Sequence, residues 1–401
     1  LDKVRAFSLS RTTSRDTTKS LPLFEHYPQL EEKLAHITLA QLPTPVQRLR
    51  RLGAELNIDH LYVKRDDLSG ELYGGNKPRK LEFILGDAIR SGAKEVMTFG
   101  GAGSNHSLAT ALYARQVGLR SISLLDPQPN ARCVRENLLR SHQCGAELHL
   151  CGTELGPRIN RPLVYLSAVC QVMRCRIKNG RRPYVVPTGG SSLPGIAGFV
   201  NAGLELKRQI SDGEMPEPDY LYVACGTMGT TAGLILGLKA ANLTTRVVSV
   251  RVTSKKSVNT RAMLGLISRA NSLLHSLDRS FPLFQFSAAD IDIRHDCFGR
   301  RYALYTEEAM EAVSLIRERE DIKLDGTYTG KALVALIKDA ENRVLRGKSV
   351  LFWNTLNSRP HPESTADLDY RELPRPFHRY FREEVQPLDR EPEHCPSSGD
   401  G

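Results

Sequence analysis

The 401-residue chain is short of tryptophan, with Trp353 the only one. It has no apolar run long enough to cross a bilayer as a helix, so no membrane partner is expected. Its eight cysteines (Cys133, Cys144, Cys151, Cys170, Cys175, Cys225, Cys297 and Cys395) contain no C-x-x-C pair, and no histidine cluster stands near them at zinc spacing. That argues against a metal site and for free thiols in a reducing compartment. Nor is there a dense basic tract, despite a net charge of +10. The tightest group, Arg174, Arg176, Lys178, Arg181 and Arg182, ends an expected helix and reads as a solvated surface, so no nucleic-acid partner is expected. The first twenty residues are polar and lack a signal-peptide core, and Asp2 and Asp16 count against a transit peptide. A cytoplasmic protein is expected. The chain opens without methionine, which leaves room for a start farther upstream. No internal repeat is visible.

What is there centres on Tyr73-Gly74-Gly75-Asn76-Lys77-Pro78-Arg79-Lys80. Two glycines let backbone approach a ligand closely. Asn76 is suited to capping a helix and Pro78 to its first turn. Leu81, Ile84, Leu85, Ala88 and Ile89 then repeat at the spacing of one buried helical face. Lys77 thus stands at a helix start, where the dipole disfavours an ammonium and lowers its pKa. Two further glycine-rich turns follow expected strands and open helices. These are Gly100-Gly101-Ala102-Gly103-Ser104-Asn105-His106 after Glu95–Phe99, and Cys225-Gly226-Thr227-Met228-Gly229-Thr230-Thr231 after Asp219–Ala224. Strand, glycine turn and helix start together suit a phosphate held on backbone N–H groups. Neither turn is a complete G-x-G-x-x-G, so a dinucleotide fold fits poorly.

Strands and helices alternate from Leu81 to Arg182 and again from Tyr184 to Trp353, which implies βαβ units and mainly parallel sheets. Residues 357–401 carry seven of the 22 prolines and read as an irregular tail, although Tyr370, Phe377, Tyr380 and Phe381 are able to pack on a body or a partner.

Five segments in this order, ending with Tyr328-Thr329-Gly330-Lys331 and Asn354-Thr355, resemble the pyridoxal-phosphate enzymes that include D-cysteine desulfhydrase and aminocyclopropane-carboxylate deaminase. The likeness runs from about Leu42 to Thr355. It implies an α/β, two-domain, tryptophan-synthase-β-like fold (fold type II), with mainly parallel sheets and flanking helices. The expected division is an N-terminal arm (1–40), a large cofactor-binding domain (41–80 and 183–356), a small α/β domain (81–182) and the tail. A homodimer is expected.

The same resemblance implies roles. Lys77 carries pyridoxal 5'-phosphate as an imine, and Lys80 is a further candidate for its phosphate. Gly226, Thr227, Met228, Gly229 and Thr230 cradle the phosphate. Thr355 offers a neutral hydroxyl to the pyridine nitrogen, and Asn105 bonds the ring hydroxyl. Ser104, whose match in the deaminases lies close to the reacting carbon, is a catalytic candidate and with Asn105, His106 and Gly189 faces the substrate. Tyr328, and Tyr302 in a more divergent setting, are catalytic phenols able to donate a proton. The chain departs from its relatives at Asn354-Thr355-Leu356-Asn357, where they read H-T-G-G, and at Asp325-Gly326-Thr327-Tyr328, where they read D-P-V-Y. The expected activity is β-elimination from a small amino acid to a keto acid and ammonia, with D-cysteine favoured by His106 and Thr329. The alternatives are aminocyclopropane-carboxylate ring opening and a cofactor-binding protein that has lost catalysis.

Overall fold

A computed structural model describes residues 20–152, 157–360, 364–365 and 367–390. Its strands are β1 (Val46–Arg48), β2 (His60–Lys64), β3 (Glu95–Gly101), β4 (Arg120–Asp126), β5 (Glu147–Leu150), β6 (Tyr184–Val186), β7 (Tyr220–Cys225), β8 (Arg246–Arg251), β9 (Asp292–Arg294) and β10 (Ser349–Trp353). They form a six-stranded sheet in the order β1-β2-β10-β7-β8-β9 and a four-stranded sheet in the order β5-β4-β3-β6. Only the β1–β2 pairing is antiparallel among these.

The central strands are apolar along their whole length because helices cover both faces. In β10, Leu351 and Trp353 enter one core cluster while Val350 and Phe352 enter the other. Strand β7 divides the same way, with Leu221, Val223 and Cys225 on one side and Tyr222 and Ala224 on the other. Parallel strands end at the same edge of a sheet, so their following loops gather there. Ligands bind at such edges in open α/β folds.

The sequence places Tyr184–Pro187 in the larger block, whereas β6 pairs with β3, in register Val96↔Tyr184, and belongs to the smaller sheet. Alternation of strand and helix predicts parallel pairing but not which sheet a returning strand joins. Strands β1 and β9, of three residues each, escape the pattern because they are too short to show a period. The described part of the expected N-terminal arm is core: Leu23, Phe24, Tyr27, Leu30 and Leu34 pack with the Leu193–Ser211 helix cluster. Residues 1–19 lie outside the described residues. The expected tail also joins the body, with Leu373, Phe377 and Tyr380 buried beside Val134, Leu138 and Tyr305. Residues 391–401, which include Pro392 and Pro396, lie outside the described residues, as does Pro362.

Candidate active site

A cavity of about 1410 Å³ opens between the two sheets, and the expected catalytic, cofactor and substrate residues line it: Lys77, Lys80, Ser104, Asn105, His106, Gly189, Gly226, Thr227, Met228, Gly229, Thr230, Tyr302, Tyr328 and Thr355. Ser104–His106 follow β3, Gly189 follows β6, Gly226–Thr230 follow β7 and Thr355 follows β10, while Lys77 and Lys80 start the helix after β2, Tyr302 lies in the loop after β9 and Tyr328 precedes the Thr329–Glu341 helix.

Lys77 begins the Lys77–Arg90 helix. Burial takes its pKa down to about 8, so the neutral amine is accessible near physiological pH. The turn before it is tight. Gly75 has φ +82°, and a Cβ there would sit 2.6 Å from the Thr355 carbonyl oxygen. A Cβ on Gly74 would lie 2.0 Å from the Asp67 carbonyl oxygen. Asn76 is not the side-chain cap its type suggests. Its Nδ2 donates instead to Thr230 Oγ1 at 3.0 Å, tying the Lys77 turn to the Gly226–Thr230 loop, and its backbone N–H donates to the Thr355 carbonyl at 3.1 Å.

Beneath this turn lies a charged network with no counterpart in the sequence reading. Arg79 is fully buried and contacts Asp66 and Glu205, each at 2.8 Å. Lys64 Nζ donates to Glu205 Oε1 at 2.6 Å, and the Trp353 indole donates to Asp66 Oδ2 at 2.7 Å. Desolvation alone would raise the Glu205 pKa, but Arg79 and Lys64 overrule it and hold the carboxyl at about 2. The network joins β2, β10, the Lys77–Arg90 helix and the Leu193–Ser211 helix. Arg79 was visible within the glycine motif; its distant acidic partners carried no local signal.

The Gly226–Thr230 loop opens the Gly229–Ala240 helix, with Met228 in the left-handed region at φ 65°. A Cβ on Gly229 would meet Ser191 Oγ at 2.5 Å. Ser191 Oγ accepts from the Gly229 N–H at 3.2 Å and pairs with Thr227 Oγ1 at 2.6 Å. The loop is therefore a close-fitting backbone cradle at a helix start, where free N–H groups and the dipole favour an anion. Lys80, also buried, donates from Nζ to the Gly189 carbonyl at 3.1 Å. Its pKa lies well below the usual lysine value, first through burial and then through Lys77.

On the opposite wall Ser104 caps the Asn105–Gln116 helix by accepting from the Ser107 N–H. Asn105 Oδ1 is held by Asn137 Nδ2 at 2.9 Å, which leaves Nδ2 as the donor of that side chain. His106 is 3 % exposed, and neither ring nitrogen makes a well-formed hydrogen bond. Burial, then Lys77 and Lys80, push its pKa well down, so the imidazole is neutral.

Tyr302 and Tyr328 meet hydroxyl to hydroxyl, their rings edge to face at 6.2 Å between centroids. Burial raises both phenol pKa values, so both stay protonated at neutral pH. Asp325 fixes the Tyr328 turn: its Oδ1 accepts from the N–H groups of Tyr328 at 3.0 Å and Thr329 at 2.7 Å, and from Thr329 Oγ1 at 2.8 Å. Lys331, in the same motif, is buried and donates to the carbonyls of Phe298 at 2.8 Å and Leu304 at 2.9 Å. It thus brackets the loop that carries Tyr302. Its type and place were legible; its task was not.

The divergent Asn354–Asn357 segment is built in. Asn357 Oδ1 accepts from the Gly74 N–H at 2.6 Å, and Asn354 is buried with Oδ1 accepting from the Leu356 N–H at 3.2 Å. The segment fastens the Lys77 turn directly.

Comparison with known proteins agrees with this geometry. The family described as pyridoxal-phosphate dependent enzyme matches residues 37–355. The chain belongs to the pyridoxal-phosphate-dependent enzyme family. It is 35 % identical over 306 residues to a D-cysteine desulfhydrase of Salmonella choleraesuis (strain SC-B67), spanning 76 % of this chain and 88 % of the relative. It is 33 % identical over 326 residues to a Pyrococcus horikoshii protein provisionally named 1-aminocyclopropane-1-carboxylate deaminase, spanning 80 % and 92 %. A solved aminocyclopropane-carboxylate deaminase homologue superposes with a TM-score of 0.70 at 31 % identity, over 84 % of this chain and 95 % of that one. The two-sheet, mainly parallel architecture is that of fold type II pyridoxal-phosphate enzymes.

The residues present fit the cofactor. A lysine with a lowered pKa stands at one helix start, and a glycine turn packed too tightly on Ser191 to admit a Cβ at Gly229 stands at another, both lining the cavity.

Proposed function

We propose that this enzyme is a lyase that releases a β-substituent from a small amino acid, with D-cysteine the first substrate to test. The observation that carries the reading is the hydrogen-bonded phenol pair, Tyr302 and Tyr328, lining one cavity with Lys77. Two protonated phenols are suited to giving a proton to a departing thiolate. The D-cysteine desulfhydrase relative supports the substrate.

Lys77 would hold the cofactor, the N–H groups of Gly226–Thr230 would take its phosphate, Thr355 would face the ring nitrogen and Asn105 the ring hydroxyl. Lys80 stands by the same cradle. Bound there, pyridoxal phosphate supplies a sink for the electrons left at the substrate α-carbon. Ser104 and the N–H groups at its helix start bind the substrate carboxylate, with His106 and Gly189 closing the wall beside it. Lys77 would also take the α-proton, a role that its lowered pKa favours. Tyr328, held by Asp325 and paired to Tyr302, delivers a proton to the leaving sulfur. The released enamine hydrolyses to the keto acid and ammonia.

Thr329 supports elimination over ring opening, because its hydroxyl is bonded to Asp325 and supplies no carboxylate to the cavity. The fastening of Gly74 by Asn357 counts against a site that has decayed. Keto-acid release from a panel of D- and L-amino acids and aminocyclopropane-carboxylate tests the reading. Turnover of D-cysteine above the rest supports it, and turnover only of the cyclopropane substrate overturns it.

Two further parts of the proposal concern context. A homodimer is supported by the apolar face that Leu166, Val169, Met173 and Ile177 leave exposed on the Pro157–Asn179 helix. Equilibrium sedimentation at the monomer mass would refute it. A cytoplasmic site of action is supported by the seven free thiols among the described residues.

A further inference from the structure

The family match ends at residue 355, yet the chain from Tyr370 to Arg390 packs on the loops and helix that border the site. Its contacts reach both walls. On the smaller-sheet side, Asn130 Nδ2 donates to the carbonyls of Tyr380 at 2.8 Å and Glu383 at 2.9 Å, and the Gln128 N–H donates to the Tyr380 hydroxyl at 3.1 Å. Gln128 in turn accepts from the Gly103 N–H at 3.1 Å, next to Ser104. On the larger-sheet side the contact is made by Gln386.

Gln386 is 7 % exposed and spends all of its polar groups on the protein. Its backbone N–H donates to the Asn130 carbonyl at 2.9 Å. Its Oε1 accepts from the Tyr305 N–H at 2.7 Å, and its Nε2 donates to the Ala303 carbonyl at 3.1 Å. Ala303, the residue after Tyr302, has φ 61°. A side chain with a Cβ avoids that left-handed region unless its surroundings hold it there. Lys331 holds the loop at Phe298 and Leu304, and Gln386 holds it at Ala303 and Tyr305. The left-handed residue, Ala303, is itself one of the held points.

We propose that the 370–390 segment is a clamp across the two halves of the site, and that Gln386 is the positioning residue that holds Tyr302 in line with Tyr328. The clamp acts through Tyr302 and so rests on the phenols serving the chemical step. Gln386 touches neither substrate nor cofactor. Its effect is on where the Tyr302 hydroxyl stands, and displacement of a catalytic group by about 1 Å is able to cost up to roughly 100-fold in rate.

The test uses the full-length holoenzyme and two variants. Gln386→Met keeps the volume and removes the side-chain hydrogen bonds, and Tyr380→Phe removes the hydroxyl that receives the Gln128 N–H. Turnover is read on the amino acid with the highest kcat/KM, alone and in the Tyr302→Phe background, with hydrogen exchange of the 300–305 and 127–131 amides. Gln386→Met is expected to lower kcat about 10- to 100-fold with KM changed less than about threefold, and to speed exchange at Tyr305. In the Tyr302→Phe background the same substitution is expected to lower kcat no further. Tyr380→Phe is expected to give a smaller loss of the same kind. An equal kcat loss in both backgrounds, or unchanged exchange at Tyr305, overturns the clamp. If Tyr302→Phe itself leaves kcat intact, the role of that phenol fails separately, and exchange at Tyr305 alone decides whether the clamp stands.

Discussion

The two sides of the cavity are held by different means. The Lys77 side is fixed by close packing and buried charge: glycines pressed against Asp67 and Thr355, and Arg79 locked between Asp66 and Glu205. The phenol side is fixed by hydrogen bonds from remote parts of the chain to a loop with a left-handed alanine, namely Lys331 and Gln386 around Tyr302. The first arrangement leaves little freedom for a cofactor to shift. The second concentrates control of the proposed proton donor in a few removable contacts. Substitutions on the Lys77 side should therefore remove cofactor or fold, and substitutions on the phenol side should remove rate while cofactor stays.

The largest effect should come from the cofactor side. Lys77→Ala is expected to lower kcat by about 10⁴-fold or more, the upper end for loss of a general base, and to abolish covalent attachment. Borohydride reduction of the wild-type holoenzyme followed by peptide mapping should label Lys77; label on Lys80 would move the assignment. Gly229→Asp should leave folded protein without cofactor. It puts a carboxylate in the loop proposed to take the phosphate, and its Cβ has only 2.5 Å to Ser191 Oγ. Full cofactor absorbance in that variant would remove the loop from the site.

On the phenol side, Tyr328→Phe is expected to lower kcat roughly 10²–10⁴-fold with cofactor content unchanged. Tyr302→Phe should cost less, because it removes the partner of the proposed donor and not that donor itself. If Tyr328→Phe keeps its rate and Tyr302→Phe does not, the two roles are exchanged.

The contrast between the two sides is also the contrast between what was legible in the sequence and what was not. Lys77, the two glycine turns and Tyr328 stand in short motifs whose spacing follows from strand-turn-helix geometry, and all line the cavity. The long parallel strands β7 and β10 were equally plain, since burial on both faces forces an unbroken apolar run. The partners were hidden. Glu205 lies 126 residues from Arg79, and Gln386 lies 81 from Tyr305. No local pattern distinguishes a glutamate or glutamine with such a partner from one on the surface. The partner of strand β6 is hidden for a related reason: it pairs with β3, 88 residues earlier in the chain, and nothing in its own three residues marks that partner.

A smaller effect on rate, but a large one on stability, is expected from the charge network. Glu205→Gln leaves Arg79 and Lys64 short of a buried negative partner, and loss of one member of a buried pair costs about 3–5 kcal/mol. Denaturant melts should show it, with cofactor binding weakened in step. The wild type should show the same dependence with pH. The Glu205 carboxyl sits at about 2 when folded, against an ordinary value of 4.5, so the unfolded chain binds the proton more readily. Stability from this group is then complete above about pH 4.5 and is lost as pH falls toward 2. An acid limb in Glu205→Gln as steep as in the wild type would show that other carboxylates govern it.

The smallest expected effect probes the one segment that belongs to both descriptions. Asn357 departs from the family pattern, as the phenol loop's surroundings do, yet it acts on the Lys77 turn, where its Oδ1 receives the Gly74 N–H at 2.6 Å. Asn357→Ala leaves that buried donor unmet, at a cost of about 1–3 kcal/mol. Gly74 is three residues from Lys77 and its turn is tightly packed, so part of this cost should appear as looser cofactor binding, about 3- to 10-fold in Kd, well below the full conversion of that energy at about 1.4 kcal/mol per tenfold. Turnover at saturating cofactor should change less than twofold. A titration of the apoenzyme with pyridoxal phosphate, followed by kcat at saturation, separates the two readouts. Unchanged Kd with a fallen kcat would mean that Asn357 serves the reacting end of the cavity, and that the division between a packed cofactor side and a clamped phenol side has been drawn in the wrong place.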